Sequence, residues 1–145
     1  MAMFVGEYKH TIDEKGRLTI PAKFRNDFES GLYVTCGLDQ CLWVFTRDGW
    51  ERFSEKLASL PTGLANTRTL TRFFFSQASD AIPDRQGRIL LPDNLRAFAN
   101  LAEGATIIGA NDKVEIWQPD RWDAFKAEQQ ANLAAIAEEL SSFGI

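Results

Sequence analysis

Apolar and polar positions along the first half of the chain predict a strand, a tight turn, a second strand, a short helix, a hairpin and a longer helix. Phe4 to Ile12 has strand-like content. Asp13 to Gly16 then supplies turn residues: an aspartate can cap backbone amides, and a glycine can take the positive φ that closes a tight hairpin. Arg17 to Ile20 reads as the return strand. Pro21 suits the first position of a short helix, where its missing N–H costs nothing, and Phe24 and Phe28 fall four apart on one helical face. Leu32 to Cys36 and Cys41 to Phe45, rich in β-branched and aromatic residues, predict a second hairpin. Asp48 then opens a helix that carries Trp50, Phe53 and Leu57 toward a core at spacings of three and four.

The whole order then recurs. Asp13, Gly16, Arg17, Pro21 and Arg25 reappear as Asp84, Gly87, Arg88, Pro92 and Arg96, a constant offset of 84 − 13 = 71. Farther on the offset is 109 − 37 = 72, because Gly37, Val44, Asp48 and Trp50 answer to Gly109, Ile116, Asp120 and Trp122. One inserted residue therefore separates two copies of a ββαββ unit, each followed by a helix. In the second copy Asp84 to Gly87 is the turn, Pro92 starts a helix with Leu95, and Thr106 to Gly109 pairs with Val114 to Trp117. Pro61 and Gly63 interrupt the segment Ser59 to Thr69 between the copies, and a final amphipathic helix is expected from about Asp120 to Leu140.

The chain has 145 residues and 45% hydrophobic content, enough for one good core or two small modules sharing one. A unit of roughly forty-five residues cannot cover its own sheet. Two copies are therefore expected to pack into one β-barrel, the arrangement that swapped-hairpin DNA-binding barrels reach by dimerising two chains. Net charge is −4 and the isoelectric point about 5.0. The charge is uneven. From Lys9 to Arg25 five cations oppose two anions, giving +3, and from Asp120 to Ile145 two cations oppose five anions, giving −3. One basic face could attract phosphate while the rest limits non-specific adhesion. No apolar run reaches the length of a membrane span, and no secretory leader pattern opens the chain, so a cytoplasmic location is expected. Cys36 and Cys41 could face each other across a hairpin as a disulfide or half a metal site, but two reduced, half-buried thiols are expected, with no metal and no cofactor.

The paired Asp-x-x-Gly-Arg loops each followed by proline, the Phe4, Gly6, Glu7, Tyr8 block, Leu42-Trp43 with Trp50, and Glu115-Ile116-Trp117 with Trp122 together resemble the MraZ family of bacterial transcriptional regulators, built from two SpoVT-AbrB domains. The resemblance runs from Met3 to about Lys126. It departs from the family pattern at Pro83, which lacks a backbone donor before the second aspartate, and at Val5. It implies a mixed α+β, β-rich fold: a pseudo-twofold, AbrB-like swapped-hairpin barrel from two repeats in one chain, with flanking helices. The expected division is a first repeat over 5–53, a helical linker over 54–75, a second repeat over 76–124 and a C-terminal helix extension over 125–145. It further implies a nucleoid-associated, ring-shaped homo-oligomer, an octamer being one candidate size. Such a protein regulates, most simply represses, the division and cell-wall gene cluster by binding repeated short G-rich boxes upstream of its own gene. The family's Asp-x-x-x-Arg motif falls on Asp13 and Arg17 and on Asp84 and Arg88.

The chemistry of that motif stands on its own. An arginine just past a tight turn can donate two hydrogen bonds from its planar guanidinium to guanine O6 and N7 in the major groove. Arg17 and Arg88 are thus the expected base readers, with Asp13, Asp84, Gly16 and Gly87 ordering the loops. Lys15 and Arg85 at the tips, with Lys9 and His10 nearby, are the expected phosphate contacts. The bland alternative is a surface ion pair across each turn, worth about 0–1 kcal/mol. Trp43, Trp50, Trp117 and Trp122 are expected as core or interface anchors rather than base-stacking platforms. One of Phe73, Phe74 and Phe75, or the acidic C-terminal helix, is expected to meet a neighbouring subunit. An enzyme is not expected. The Asp-Thr-Gly, Asp-Ser-Gly and Gly-Ser strings of related barrel enzymes are absent, the chain has a single histidine, and no small-molecule ligand or membrane partner is evident. The serious alternative to double-stranded DNA as partner is a ring-forming scaffold without specific DNA binding.

Overall fold

The computed structural model describes residues 2–145. Eight strands alternate with helices: β1 (Glu7–Thr11), β2 (Arg17–Thr19), a 3-10 turn (Ala22–Phe24) leading into α1 (Arg25–Phe28), β3 (Leu32–Cys36), β4 (Leu42–Thr46), α2 (Arg47–Ala58), α3 (Ala65–Ser76), β5 (Ser79–Ala81), β6 (Arg88–Leu90), α4 (Asp93–Phe98), β7 (Gly104–Gly109), β8 (Val114–Trp117), α5 (Pro119–Gln130) and α6 (Leu133–Glu139). The fold is mixed α+β and has two repeats.

Strand pairing follows the duplication. The large sheet has the order β1-β7-β8-β4-β3-β5, and β2 pairs with β6 as a separate two-stranded ribbon. The order is the same from either end once the repeats are exchanged, so the pseudo-twofold axis passes between β4 and β8 and between β2 and β6. Its imprint is visible in the register. Leu18 faces Ile89, and 18 + 71 = 89, so one position of the repeat faces itself across the axis. Trp43 faces Glu115 in the same manner at the offset of 72.

The local hairpin expected from Phe4 to Ile20 is corrected. A single bridge, Ile12 to Leu18, joins its two arms. Instead β1 pairs along its whole length with β7 of the other repeat, from Glu7 opposite Ile108 to Thr11 opposite Gly104. Strand length accounts for the preference: β7, Gly104–Gly109, offers a hydrogen-bonding edge long enough for all five residues of β1, whereas β2 has three residues. Gly109 permits the chain ahead of β1 to come close, since a Cβ there would lie 2.3 Å from the Val5 backbone nitrogen.

The core lies between ribbon and sheet. Leu18, Ile20, Ile89 and Leu91 point inward from the ribbon side to meet Val34, Val44, Ile107 and Ile116 of the sheet, while Phe4 stacks on Phe28 at 5.1 Å. Each such side chain, fully buried, contributes about 1.5–3 kcal/mol. On the other face of the sheet α2 and α3 form a helical hairpin. Thr46 caps α2 by accepting from the Gly49 N–H at 3.0 Å, and Trp50 and Leu57 are buried beneath it. Phe73 to Phe75 are helical rather than extended. Phe74 alone is buried, stacked on Trp43 at 5.5 Å, and Phe73 and Phe75 remain exposed.

Two further expectations change. Cys36 and Cys41 are fully buried free thiols, and Leu42, not Cys41, stands opposite Cys36. The single final helix is two, broken at Ala131 and Asn132. Trp122 and Phe125 of α5 pack on Trp117, but the stripe on α6 is not buried: Leu133 is 58% and Leu140 45% exposed. Among the described residues no helix is long and apolar enough to cross a membrane.

Candidate nucleic-acid interface

Each Asp-x-x-Gly-Arg loop is closed by its own backbone and locked by its aspartate. In the first, the Gly16 N–H donates to the Asp13 carbonyl at 2.9 Å and the Asp13 N–H to the Arg17 carbonyl at 3.0 Å. Asp13 Oδ1 accepts from the Lys15 and Arg17 backbone N–H groups, both at 2.9 Å, and Oδ2 accepts from Arg17 Nε at 2.7 Å. The second loop repeats this: Asp84 Oδ1 accepts from the Gln86 and Arg88 N–H groups at 2.9 Å, and Oδ2 accepts from Arg88 Nε at 2.9 Å. Gly16 and Gly87 have φ of +82° and +75°, the left-handed conformation that glycine adopts without Cβ strain.

The aspartate therefore does both things at once: it orders the loop and orients the arginine. Because it engages Nε, the two terminal Nη groups of Arg17 and Arg88 have no protein partner among the described residues. Both carboxylates are held below the ordinary aspartate range, mainly by the backbone N–H of Arg17 or Arg88, with partial desolvation acting in the opposite sense.

The ribbon sets the two arginines on one face. Its inward positions, Leu18 and Ile89, are buried, so the alternation of a strand turns Arg17, Thr19, Arg88 and Leu90 outward. Arg17 stands opposite Leu90 and Arg88 opposite Thr19. The arginines are diagonal neighbours, with Cα atoms about 7–8 Å apart.

Each loop is completed by the other repeat. The Ile20 N–H donates to the Gly87 carbonyl at 2.7 Å, and the Leu91 N–H to the Gly16 carbonyl at 2.9 Å. Arg25, anchored by Nε to the Ile20 carbonyl at 3.1 Å, lies over Gly87, where a Cβ would approach its Nε to 2.5 Å. Arg96, anchored to the Leu91 carbonyl at 2.9 Å, lies over Gly16. Neither Arg25 nor Arg96 belongs to the site expected from sequence. Their constant offset of 71 is a signal, but only the exchange of strands shows which loop each one joins. The pair is unequal: Arg96 is bonded to Asp93, and Arg25 has Ala22 in the matching place and makes no ion pair among the described residues.

Lys15 and Arg85 sit exposed at the loop tips. Lys9 and His10 lie on the edge strand β1, Lys9 exposed and His10 half-buried. Burial, and after it the charge of Arg25, lower the His10 pKa, so the imidazole is predominantly neutral near pH 7 and offers a hydrogen bond rather than a cation. A cleft of about 230 Å³ beside the second loop is lined by Arg25, Arg85, Glu29 and Gly87.

Two tandem repeats that exchange strands about an internal axis and present a matched pair of aspartate-locked arginines define a single-chain, pseudo-dimeric α+β class. A family model described as "MraZ protein, putative antitoxin-like" matches residues 3–73 and again 74–143. The chain is 49% identical over 139 residues to the transcriptional regulator MraZ of Roseiflexus sp. (strain RS-1), covering 96% of this chain and 97% of that protein. It is 47% identical to the transcriptional regulator MraZ of Moorella thermoacetica, with coverage of 99% and 100%. This chain belongs to the MraZ family, a family of transcriptional regulators rather than of enzymes.

Proposed function

We propose that the protein is a sequence-specific DNA-binding regulator of transcription, acting at repeated G-rich boxes upstream of its own gene in the division and cell-wall cluster. The observation that supports this most directly is the outward ribbon face. A two-stranded ribbon fits the major groove, and an arginine held at Nε still presents two Nη donors for the O6 and N7 of a guanine. Arg17 and Arg88 are the base readers in this reading. Thr19 and Leu90 between them can meet a thymine methyl, and Lys15, Arg85 and Arg25 contact phosphates. Lys9 and His10, on the edge strand, contact phosphates as well. The acidic remainder of the surface confines attraction to this face. In the cell the protein would act in the cytoplasm on the nucleoid, as a ring-shaped homo-oligomer whose subunits engage successive boxes. The relatives named transcriptional regulator agree with regulation as the role.

Fluorescence anisotropy with the chain's own upstream DNA and with a shuffled fragment of equal length tests this. Preference for the native fragment by a factor of about 10³ or more is expected of specific binding. Equal affinity for both would reject sequence reading and favour a ring-forming scaffold.

A further inference from the structure

A cleft of about 220 Å³ opens where α2 of the first repeat meets the turn between β7 and β8 of the second. Its apolar wall is made by Trp43, Phe45 and Phe53. Val44 is buried in the core that the ribbon covers, so the alternation of β4 turns Trp43 and Phe45 to the opposite face of the sheet, away from the reading loops. Helix and turn come together here at the buried Gly49, whose added Cβ would lie 3.7 Å from the Asp112 carbonyl oxygen.

Three cations line the cleft. Arg52 and Lys56 stand four residues apart on α2, neighbours on one helical face, and Lys113 comes from the turn. Neither Arg52 nor Lys56 forms an ion pair among the described residues. Lys113 lies over the Trp43 ring, 4.8 Å from its centroid, and pairs only with Asp112, at 3.4 Å. Glu115 does not neutralise it, since that carboxylate accepts from the Trp43 and Trp117 indole N–H groups, both at 3.0 Å. With Asp112 as the one carboxylate on the wall, the lining charge is 3 − 1 = +2.

The duplication shows that the fold does not need these cations. At the offset of 72, Arg52, Lys56 and Lys113 answer to Ala124, Glu128 and Cys41. Yet α5 packs Trp122 and Phe125 on Trp117 much as α2 packs Trp50 and Phe53 on Phe45. Helix docking therefore proceeds without the three charges, and their presence in one repeat alone calls for another cause.

We infer that this cleft binds a small phosphomonoester, its phosphate held by Arg52, Lys56 and Lys113 and its apolar body set against the aromatic wall. The charges match, because a phosphate monoester carries about −1.5 to −2 at pH 7 and guanidinium and ammonium groups make charge-assisted hydrogen bonds to its oxygens. Size narrows the class. The volume falls below the roughly 300 Å³ at which pockets for drug-sized ligands begin, so a compact phosphorylated metabolite fits and a dinucleotide does not. A bound ligand touches both repeats and joins α2 to the second. This inference does not rest on the DNA-binding reading.

Titration of the isotope-labelled full-length chain with phenyl phosphate, followed by NMR at constant ionic strength, tests it. Saturating shifts are expected at the Trp43 indole N–H and at the Gly49 and Lys113 amides, with the Gly16 and Gly87 amides of the loops unmoved. Inorganic phosphate should bind at the same place more weakly, because it leaves the aromatic wall uncovered. Arg52→Gln and Lys113→Gln should each weaken phenyl phosphate by about tenfold, the worth of one charge-assisted hydrogen bond, with circular dichroism melts like that of wild type. Lys56→Gln, at an exposed position of α2, replaces either variant that fails to fold. Arg17→Ala should bind the probe as wild type does. Shifts that never saturate or that centre on the loops, equal affinity for inorganic phosphate, or folded cleft variants with wild-type affinity would each overturn the inference.

Discussion

Arg25 of the first repeat lies across Gly87 of the second, close enough that a single added carbon at residue 87 would reach its Nε. The same glycine holds a φ of +75°, a backbone conformation that costs an L side chain about 1–2 kcal/mol. Gly87→Ala should therefore destabilise the protein by about 1–2 kcal/mol and displace Arg25. Gly63→Ala, where a Cβ meets nothing within 4 Å, should stay within about 0.5 kcal/mol of wild type. Urea midpoints of the two variants make the comparison; equal midpoints would show that the loop does not need its glycine.

Asp13 and Asp84 predict how the loops respond to acid. Their pKa values are lowered from the ordinary 3.8 by the arginine backbone N–H first, then by the side-chain bond. A depressed native pKa means the folded loop binds fewer protons than the unfolded chain, so its contribution is fully present above pH 3.8 and is lost as pH falls through the native value. Carboxyl carbon shifts followed by NMR should give titration midpoints below 3.8 for both residues. Midpoints at or above that value would mean the caps do not persist in solution.

The arginines and the tip cations should fail differently. Arg17→Ala or Arg88→Ala should each cost about 1–3 kcal/mol of binding to the native fragment and relax sequence preference. Lys15→Ala, Arg85→Ala or Arg25→Ala should weaken binding to every sequence and reduce the log–log salt slope by about 0.9 for each phosphate that is no longer neutralised. Anisotropy titrations over a salt series distinguish the two patterns. An Arg17→Ala variant that binds its own fragment as tightly as wild type would remove Arg17 from the reading face.

Spacing of the boxes should matter as much as their sequence. One ribbon spans only a few base pairs, and linking sites can raise apparent affinity by about 10²–10⁴ when geometry allows simultaneous contact. Boxes on one face of the duplex must repeat near the helical period of roughly 10 bp. Inserting about half a turn between two boxes should lower affinity sharply, and restoring the full turn should recover it. Indifference to the insertion would leave a subunit that binds one box at a time.

The parts of this molecule that a linear reading reaches are those whose cause is local. The Asp13–Arg17 and Asp84–Arg88 loops are set by turn chemistry within five residues, and the hairpin of β3 and β4 falls within a residue of its expected ends. What escapes a residue-by-residue reading is the choice of partner. The alternation of β1 does not say whether its edge pairs with β2 or with β7, and only the assembled sheet decides. Arg25 and Arg96 escape for that reason, since the place of each is defined by a glycine of the other repeat, 87 − 25 = 62 and 96 − 16 = 80 residues away. The α6 stripe shows the converse: its helical spacing is real, yet spacing alone does not say whether the cover is the same copy or another.

The pairing of β1 with β7 also sets an order of events at the ribosome. Residues 7–11 emerge early, but their partner strand ends at Gly109. At a synthesis rate of about 5–20 residues per second, β1 waits several seconds with its hydrogen-bonding edge open. The first repeat cannot finish folding before most of the second exists, and long-range pairing of this kind makes for slow, cooperative folding. A chain whose translation stops between the repeats would expose that edge permanently, so truncated products should be marked by aggregation or proteolysis rather than by partial activity.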